Sequence, residues 1–215
     1  MHELLTKAIP QESGLRNLFG TFHEDISPFN VSLGVHVTVI TNDEEPKVLF
    51  TQRSAHVKEF ENYKISCGIT ETVQEKDQPS PDQPPNIYNT VRRGLEEELG
   101  VKLSDEDCDK IKLLGVGARE KDNIWGFVGL VDMRASRNAA YNWENIKLSM
   151  LHAQDSNFEI ASLHPIPLTI PSVLNYIKQN AELMDEGATA LAICILYCCF
   201  SENIVNDAIM EMKQY

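Results

Sequence analysis

The chain has 215 residues and a formal net charge of −13, enough length for a sizeable core in one main domain with terminal additions. That acidic balance excludes a protein that coats nucleic acid or rides an anionic membrane, because such binding needs a dense basic stripe. No apolar run reaches the roughly 20 residues a bilayer span requires, and MHELLTKAIPQESG lacks the apolar stretch of a secretion signal. Five cysteines without a CxxC pair suit a reducing compartment, so the expected location is the cytoplasm.

Residues 1–30 are mixed, with Leu15, Leu18, Phe19 and Phe22 at the spacing of a short amphipathic helix, and read as an arm. From Val31 the pattern VSLGVHVTVI is β-branched and ends in the turn TNDEEP; KVLFTQRS follows, and the two predict a pair of strands. YKISCGI predicts another short strand. The segment ETVQEKDQPSPDQPPN carries too much proline in its second half for a regular element. IKLLGVGA, IWGFVGLVDM and FEIASLHPI predict three further strands. The tail carries three helical patterns: PSVLNYIKQNAEL, the run Ala188–Phe200, and ENIVNDAIMEMKQ. Cys194, Cys198 and Cys199 sit among Ala, Ile, Leu and Phe and belong to a buried apolar face.

Between these blocks lies one strong helical signal. Asn86 is placed to cap it, Tyr88, Val91, Leu95 and Leu99 recur at three- and four-residue intervals, and Gly100 is placed to end it in a left-handed conformation. Its sequence VRRGLEEELGV sets Glu96, Glu97 and Glu98 in a row. Arg92 and Arg93 stand four residues before Glu96 and Glu97, the spacing of ordinary ion pairs on a solvated helix face.

The stretch Arg93–Val101 also resembles the C-terminal half of the Nudix box, G-x5-E-x7-R-E-U-x-E-E-x-G-U with U aliphatic. Arg93, Leu95, Glu97, Glu98, Gly100 and Val101 match it position by position. The resemblance departs in two places. The separation of the box glycine and arginine is 14 in the pattern, but Gly68 lies 93 − 68 = 25 residues before Arg93, which implies an 11-residue insertion at QPSPDQPP. The first box glutamate is then either Glu71 or Glu75. Gly94 stands where the box has a glutamate that serves some members as base or metal ligand.

The resemblance implies an α/β fold, a mixed sheet flanked by helices over residues 31–170, with extra C-terminal helices, 171–215, packed on the same domain. It implies a hydrolase of phosphoric anhydrides acting on a nucleoside diphosphate linked to another moiety, such as a nucleotide sugar or dinucleotide. Mg²⁺ (or Mn²⁺) would be held by Glu97 and Glu98, since hard cations take carboxylate oxygens, neutralise phosphate charge and activate water. Arg93 would orient Glu97 or a neighbouring acid. With position 94 vacant, Glu120, just past IKLLGVGA, is the preferred base, and Glu96 a substitute. Arg53 is a candidate for a substrate phosphate, Trp125 for stacking on a base, and Gly68 is the box glycine beside the pocket. The partner would be a small phosphorylated molecule, and the resemblance implies a homodimer. Two rivals remain open: a nucleotide-binding sensor without turnover, and an isoprenyl diphosphate isomerase, for which Cys67 is the cysteine near the box.

Overall fold

The computed structural model describes residues 32–56, 64–119, 124–154, 159–201, 203, 204 and 207. The arm expected at 1–30 and most of the last helical pattern lie outside the described residues. Seven strands form one mixed sheet: β1 (Ser32–Ile40), β2 (Lys47–Arg53), β3 (Ile65–Cys67), β4 (Ile69–Thr72), β5 (Ile111–Arg119), β6 (Ile124–Asp132) and β7 (Ile160–Pro167). Along one path the order is β3-β2-β1-β6-β5, with β4 beside β1 and β7 beside β2. β1 runs parallel to β6 over its whole length, and every other pairing is antiparallel.

β1 explains the two layers that cover the sheet. Successive side chains point to opposite faces, so Val35, Val37 and Val39 enter one core and Ile40 the other. The first core is closed by α1 (Ile87–Leu99) and α2 (Trp143–Met150), the second by α3 (Ile170–Asn180) and α4 (Glu186–Cys199). α2 escapes a periodicity reading because it has only eight residues and buries only Ile146 completely. Among the described residues no helix is long and apolar enough to cross a membrane.

On its other edge β1 changes partner midway. Gly34–Val37 pair with β4, whereas Val39 and Ile40 pair with β2. The chain crosses this switch at Gly68, between β3 and β4. A Cβ there would lie 3.0 Å from the Val39 amide nitrogen and 3.1 Å from the Val37 carbonyl oxygen, so the crossing needs a residue without a side chain. What the sequence presents as one strand, YKISCGI, therefore holds, from Ile65 on, the whole of β3 and the start of β4 with a breach beside it.

α1 carries the candidate chemistry and is well specified locally. The Asn86 side chain accepts the Tyr88 N–H at 2.9 Å, and Gly100 ends the helix at φ 67°. Its buried stripe is Thr90, Val91, Gly94, Leu95, Glu98 and Leu99; Tyr88, expected in that stripe, is 44% exposed. The proline-rich run from Gln78 to Pro85 bridges Asp77 and Asn86 on the outside, its ends tied by the Asn86 N–H and Asn89 side chain donating to the Asp77 carbonyl.

Two substitutions test this account of α1. Leu95→Ala removes a fully buried side chain facing the valines of β1 and is expected to lower unfolding free energy by about 3 kcal/mol. Gly100→Ala faces a positive φ and a Cβ position 2.5 Å from the Ser149 carbonyl oxygen, so it should cost at least about 1 kcal/mol. Urea titrations of both variants check these values.

Candidate active site

Arg93, in the middle of α1, uses its whole guanidinium fork. Nε and Nη2 donate to the two Asp77 carboxylate oxygens at 2.8 and 3.0 Å, Nη1 reaches Glu71 at 2.7 Å and Glu97 at 3.0 Å, and Nη2 also donates to the Thr72 carbonyl at 2.7 Å. Asp77 is 2% exposed and additionally accepts the Gln74 N–H and the Thr90 hydroxyl. Burial pushes its carboxyl up, but Arg93, the Gln74 N–H and Thr90 outweigh that and hold it below the ordinary carboxylate range. Of the two acids offered as the first glutamate of the motif, Glu71 pairs with Arg93, whereas Glu75 is exposed.

β4 explains why a glutamate is buried beside this arginine. One edge pairs with β1, and the other leaves peptide groups in need of partners. α1 supplies them: the Glu98 carboxylate accepts the Thr70 N–H at 3.1 Å, and Arg93 donates to the Thr72 carbonyl. Glu98 is 4% exposed, and among the described residues this is its only hydrogen bond, so its second oxygen has none. Burial pushes its carboxyl well up, the like charges of Glu159 and Glu71 add to that, and Arg53 and the Thr70 N–H oppose it.

The three consecutive glutamates therefore occupy three environments. Glu96 is 57% exposed beside Lys102. Glu97 accepts from Lys76 at 2.9 Å and from Arg93; burial pushes its carboxyl up, and these two cations outweigh that and lower it. It lines an open depression of about 640 Å³ with Arg93, Ser149 and His152. Glu98 turns the other way, into the breach of the sheet. The two glutamates expected to act together are not drawn to one cavity.

A second cavity of about 450 Å³ lies between the first halves of β1 and β6 and the N-terminus of α4. Its wall beside the breach carries Arg53, Lys64, Thr70, Glu71 and Glu159. The β2–β7 register slips between Gln52 and Arg53, so Arg53 pairs with Ile160, and such a bulge re-aims the following side chain. Arg53 accordingly lines the cavity. Trp125 does not: Ile124, Gly126 and Val128 face the cavity, and strand alternation puts Trp125 on the opposite face with Phe127. Gly68 lines neither cavity and serves the crossing of β1. Glu120 lies outside the described residues. Cys67 is fully buried in the α3–α4 core and lines neither cavity, its thiol donating to the Ile69 carbonyl and pushed up to about 12 first by burial and then by Asp185.

Among the described residues no three His, Cys, Asp or Glu side chains form a ready-made metal cluster. Mg²⁺ needs less than that, since it keeps several waters and takes one or two carboxylates. Glu98, nearly buried, with an oxygen that accepts no hydrogen bond and with Glu71 and Glu159 adding negative charge, fits such an ion. Sequence reasoning missed Glu159 because it stands alone before β7, with no motif around it, and missed Asp77 because the inserted loop alters the spacing to Arg93.

No family model and no curated protein sequence matches the chain. Among solved structures it is similar to a bifunctional NMN adenylyltransferase/ADP ribose pyrophosphatase from Francisella tularensis, complexed with AMP and Mn ion. The identity is 20% and the TM-score 0.50, over 85% of this chain and 44% of that one. It is also similar to a NUDIX hydrolase from Alicyclobacillus acidocaldarius, at 12% identity and TM-score 0.50, over 82% of this chain and 96% of that one. The chain thus spans less than half the length of the Francisella protein. The shared feature is the architecture: this chain has the Nudix fold, a mixed sheet flanked by helices.

The Arg93 cluster makes a prediction about stability. Asp77→Asn removes the bidentate partner of a guanidinium whose side chain is 11% exposed and should cost about 3 kcal/mol. Because the Asp77 carboxyl is lowered in the folded state, its contribution is complete above the unfolded value near 3.8 and is lost as pH falls through the lower folded value. Unfolding free energy of wild type should therefore drop below about pH 4 more steeply than that of Asp77→Asn. Urea denaturation between pH 2.5 and 7 checks both.

Proposed function

We propose that a chain with the Nudix fold and this site is a divalent-cation-dependent pyrophosphohydrolase that cleaves a nucleoside diphosphate linked to another moiety. The observation that carries this reading is Glu98, a nearly buried carboxylate whose one hydrogen bond among the described residues comes from Thr70, a residue that lines a cavity together with Arg53 and Lys64. A cavity of about 450 Å³ lies within the range of small-molecule sites. Two similar solved structures are a NUDIX hydrolase and a bifunctional NMN adenylyltransferase/ADP ribose pyrophosphatase complexed with AMP and Mn ion, which agrees in reaction class.

In this reading Glu98 holds Mg²⁺ or Mn²⁺ from α1. When bound, the ion supplies charge neutralisation for the diphosphate and a lower pKa for the attacking water. Arg53 and Lys64 meet phosphate oxygens and orient the anhydride for in-line attack. Glu159, on the same wall, takes the proton as the water oxygen bonds to phosphorus and the bridging P–O bond breaks. Arg93 does not touch substrate; it fixes α1 against β4 and the Asp77 turn. Glu97 stands in that ion-pair cluster, where Lys76 and Arg93 already balance its charge and it lines the other depression, so this reading gives it no ion.

A second reading, a nucleotide sensor with little or no turnover, is favoured by two features: α1 has no carboxylate at Gly94, and Glu97 is paired with Lys76 and Arg93. The two readings part in a mass-spectrometric screen of dinucleotides and nucleotide sugars with Mg²⁺ or Mn²⁺. Hydrolysis should release two phosphorylated products, whereas binding without product would select the sensor. Given turnover, Glu98→Gln should reduce it by about 100-fold or more and Glu159→Gln by roughly 10²–10⁴. Glu97→Gln should stay within about tenfold of wild type, as befits a partly exposed ion pair. Wild-type turnover in Glu98→Gln would reject the assignment.

A further inference from the structure

The space beside Gly94 is taken. A Cβ built on Gly94 would lie 2.9 Å from the Ile69 side-chain tip, 3.2 Å from the Glu71 Cβ and 3.6 Å from the Glu71 Cγ. The stem of Glu71 thus crosses the helix at the one position of the buried stripe that has no side chain. Its carboxylate is held in a defined pose, one oxygen at 2.7 Å from Arg93 and the other accepting the Thr72 N–H at 2.8 Å. A carboxylate has about four lone-pair sites, so both oxygens keep acceptor capacity. Glu71 also lines the cavity, next to the breach into which Glu98 is turned with an oxygen that accepts no hydrogen bond.

We infer that Glu71 supplies, from β4, the carboxylate that α1 lacks at position 94, and that Glu71 and Glu98 together hold the divalent cation. This rests on the cation-dependent reading above. The exchange has a steric logic: β4 and α1 approach so closely here that a side chain at position 94 would press on the Glu71 stem and displace the Ile69 tip, and this chain has placed the acid on the strand. It follows that Gly94→Glu alone does not complete the site. The new stem meets Ile69 and Glu71, and its charge adds to a pocket that already holds an acid.

Direct Mn²⁺ binding, measured by electron paramagnetic resonance or calorimetry, tests this without turnover. Wild type is expected to bind Mn²⁺, and Glu98→Gln to lose it. Glu71→Gln should bind about tenfold more weakly or worse, as should Gly94→Glu. The reciprocal exchange, Glu71→Gly with Gly94→Glu, removes the Glu71 stem, leaves only the flexible tip of Ile69 to shift and returns a carboxylate on the helix, so it should bind clearly more tightly than Glu71→Gly alone. Wild-type affinity in Glu71→Gln, or an exchange variant no better than Glu71→Gly, overturns the inference. Absence of Mn²⁺ binding by wild type, or its survival in Glu98→Gln, overturns the cation reading itself, a distinct failure. Thermal melts establish folding, and if Glu71→Gly does not fold, Glu71→Gln and Gly94→Glu decide.

Discussion

The guanidinium of Arg93 is the tie on which this half of the molecule depends. Five donor contacts join α1, through Glu97, to β4, through Glu71 and the Thr72 carbonyl, and to the turn after β4, through Asp77. A planar fork suits this better than an ammonium, because Asp77 takes it side-on while its remaining N–H groups stay aimed at the strand. The arrangement is costly to bury unless every lone pair is answered. Asp77 meets that condition with Gln74 and Thr90, and its pairing also fixes where the proline-rich loop begins.

The same contacts settle a problem posed by the sheet. Where β1 exchanges β4 for β2, the outer edge of β4 is left without a strand, and unpaired peptide groups there would carry a desolvation penalty of about 1–3 kcal/mol each. Glu98 and Arg93 fill those places from the helix. An acid is thereby held in the interior for structural reasons, and its second oxygen is left over. Structure and chemistry meet at one side chain: the hydrogen bond from Thr70 orients Glu98, and burial with Glu71 and Glu159 nearby makes an added positive charge favourable there.

The features legible in the sequence are those with local signals. The alternation in VSLGVHVTVI, the cap at Asn86, the 3.6-residue stripe of α1 and the left-handed end at Gly100 each depend on residues within a turn or two. The stretch Arg93–Val101, which carries the resemblance, lies on α1 and the turn that ends it. Contacts across long separations were not legible. Asp77 is 16 residues from Arg93, beyond the box spacing because of the inserted loop, and Glu159 meets the site only through the β2–β7 pairing. Trp125 fails as a cavity residue by one step of strand alternation, which a glycine-rich strand such as IWGFVGLVDM leaves open when read alone. Gly94 looked like a lost carboxylate, because nothing in a linear sequence shows that a glutamate 23 residues earlier fills the same space (94 − 71 = 23).

The overall charge bears on how an anionic ligand could use such a site. A net charge of −13 repels phosphates at long range, but repulsion between exposed charges is screened beyond roughly 8–10 Å at physiological ionic strength. Close to the cavity Arg53 and Lys64 would face such a ligand, with the acids Glu71 and Glu159 on the same wall. A diphosphate approaching with its own Mg²⁺ would carry reduced charge through the unfavourable outer field and deliver the ion where Glu98 has an unused oxygen. The acidic composition then works with the site, because it disfavours free polyanions relative to metal-complexed ones and leaves selectivity to the few residues on the cavity wall.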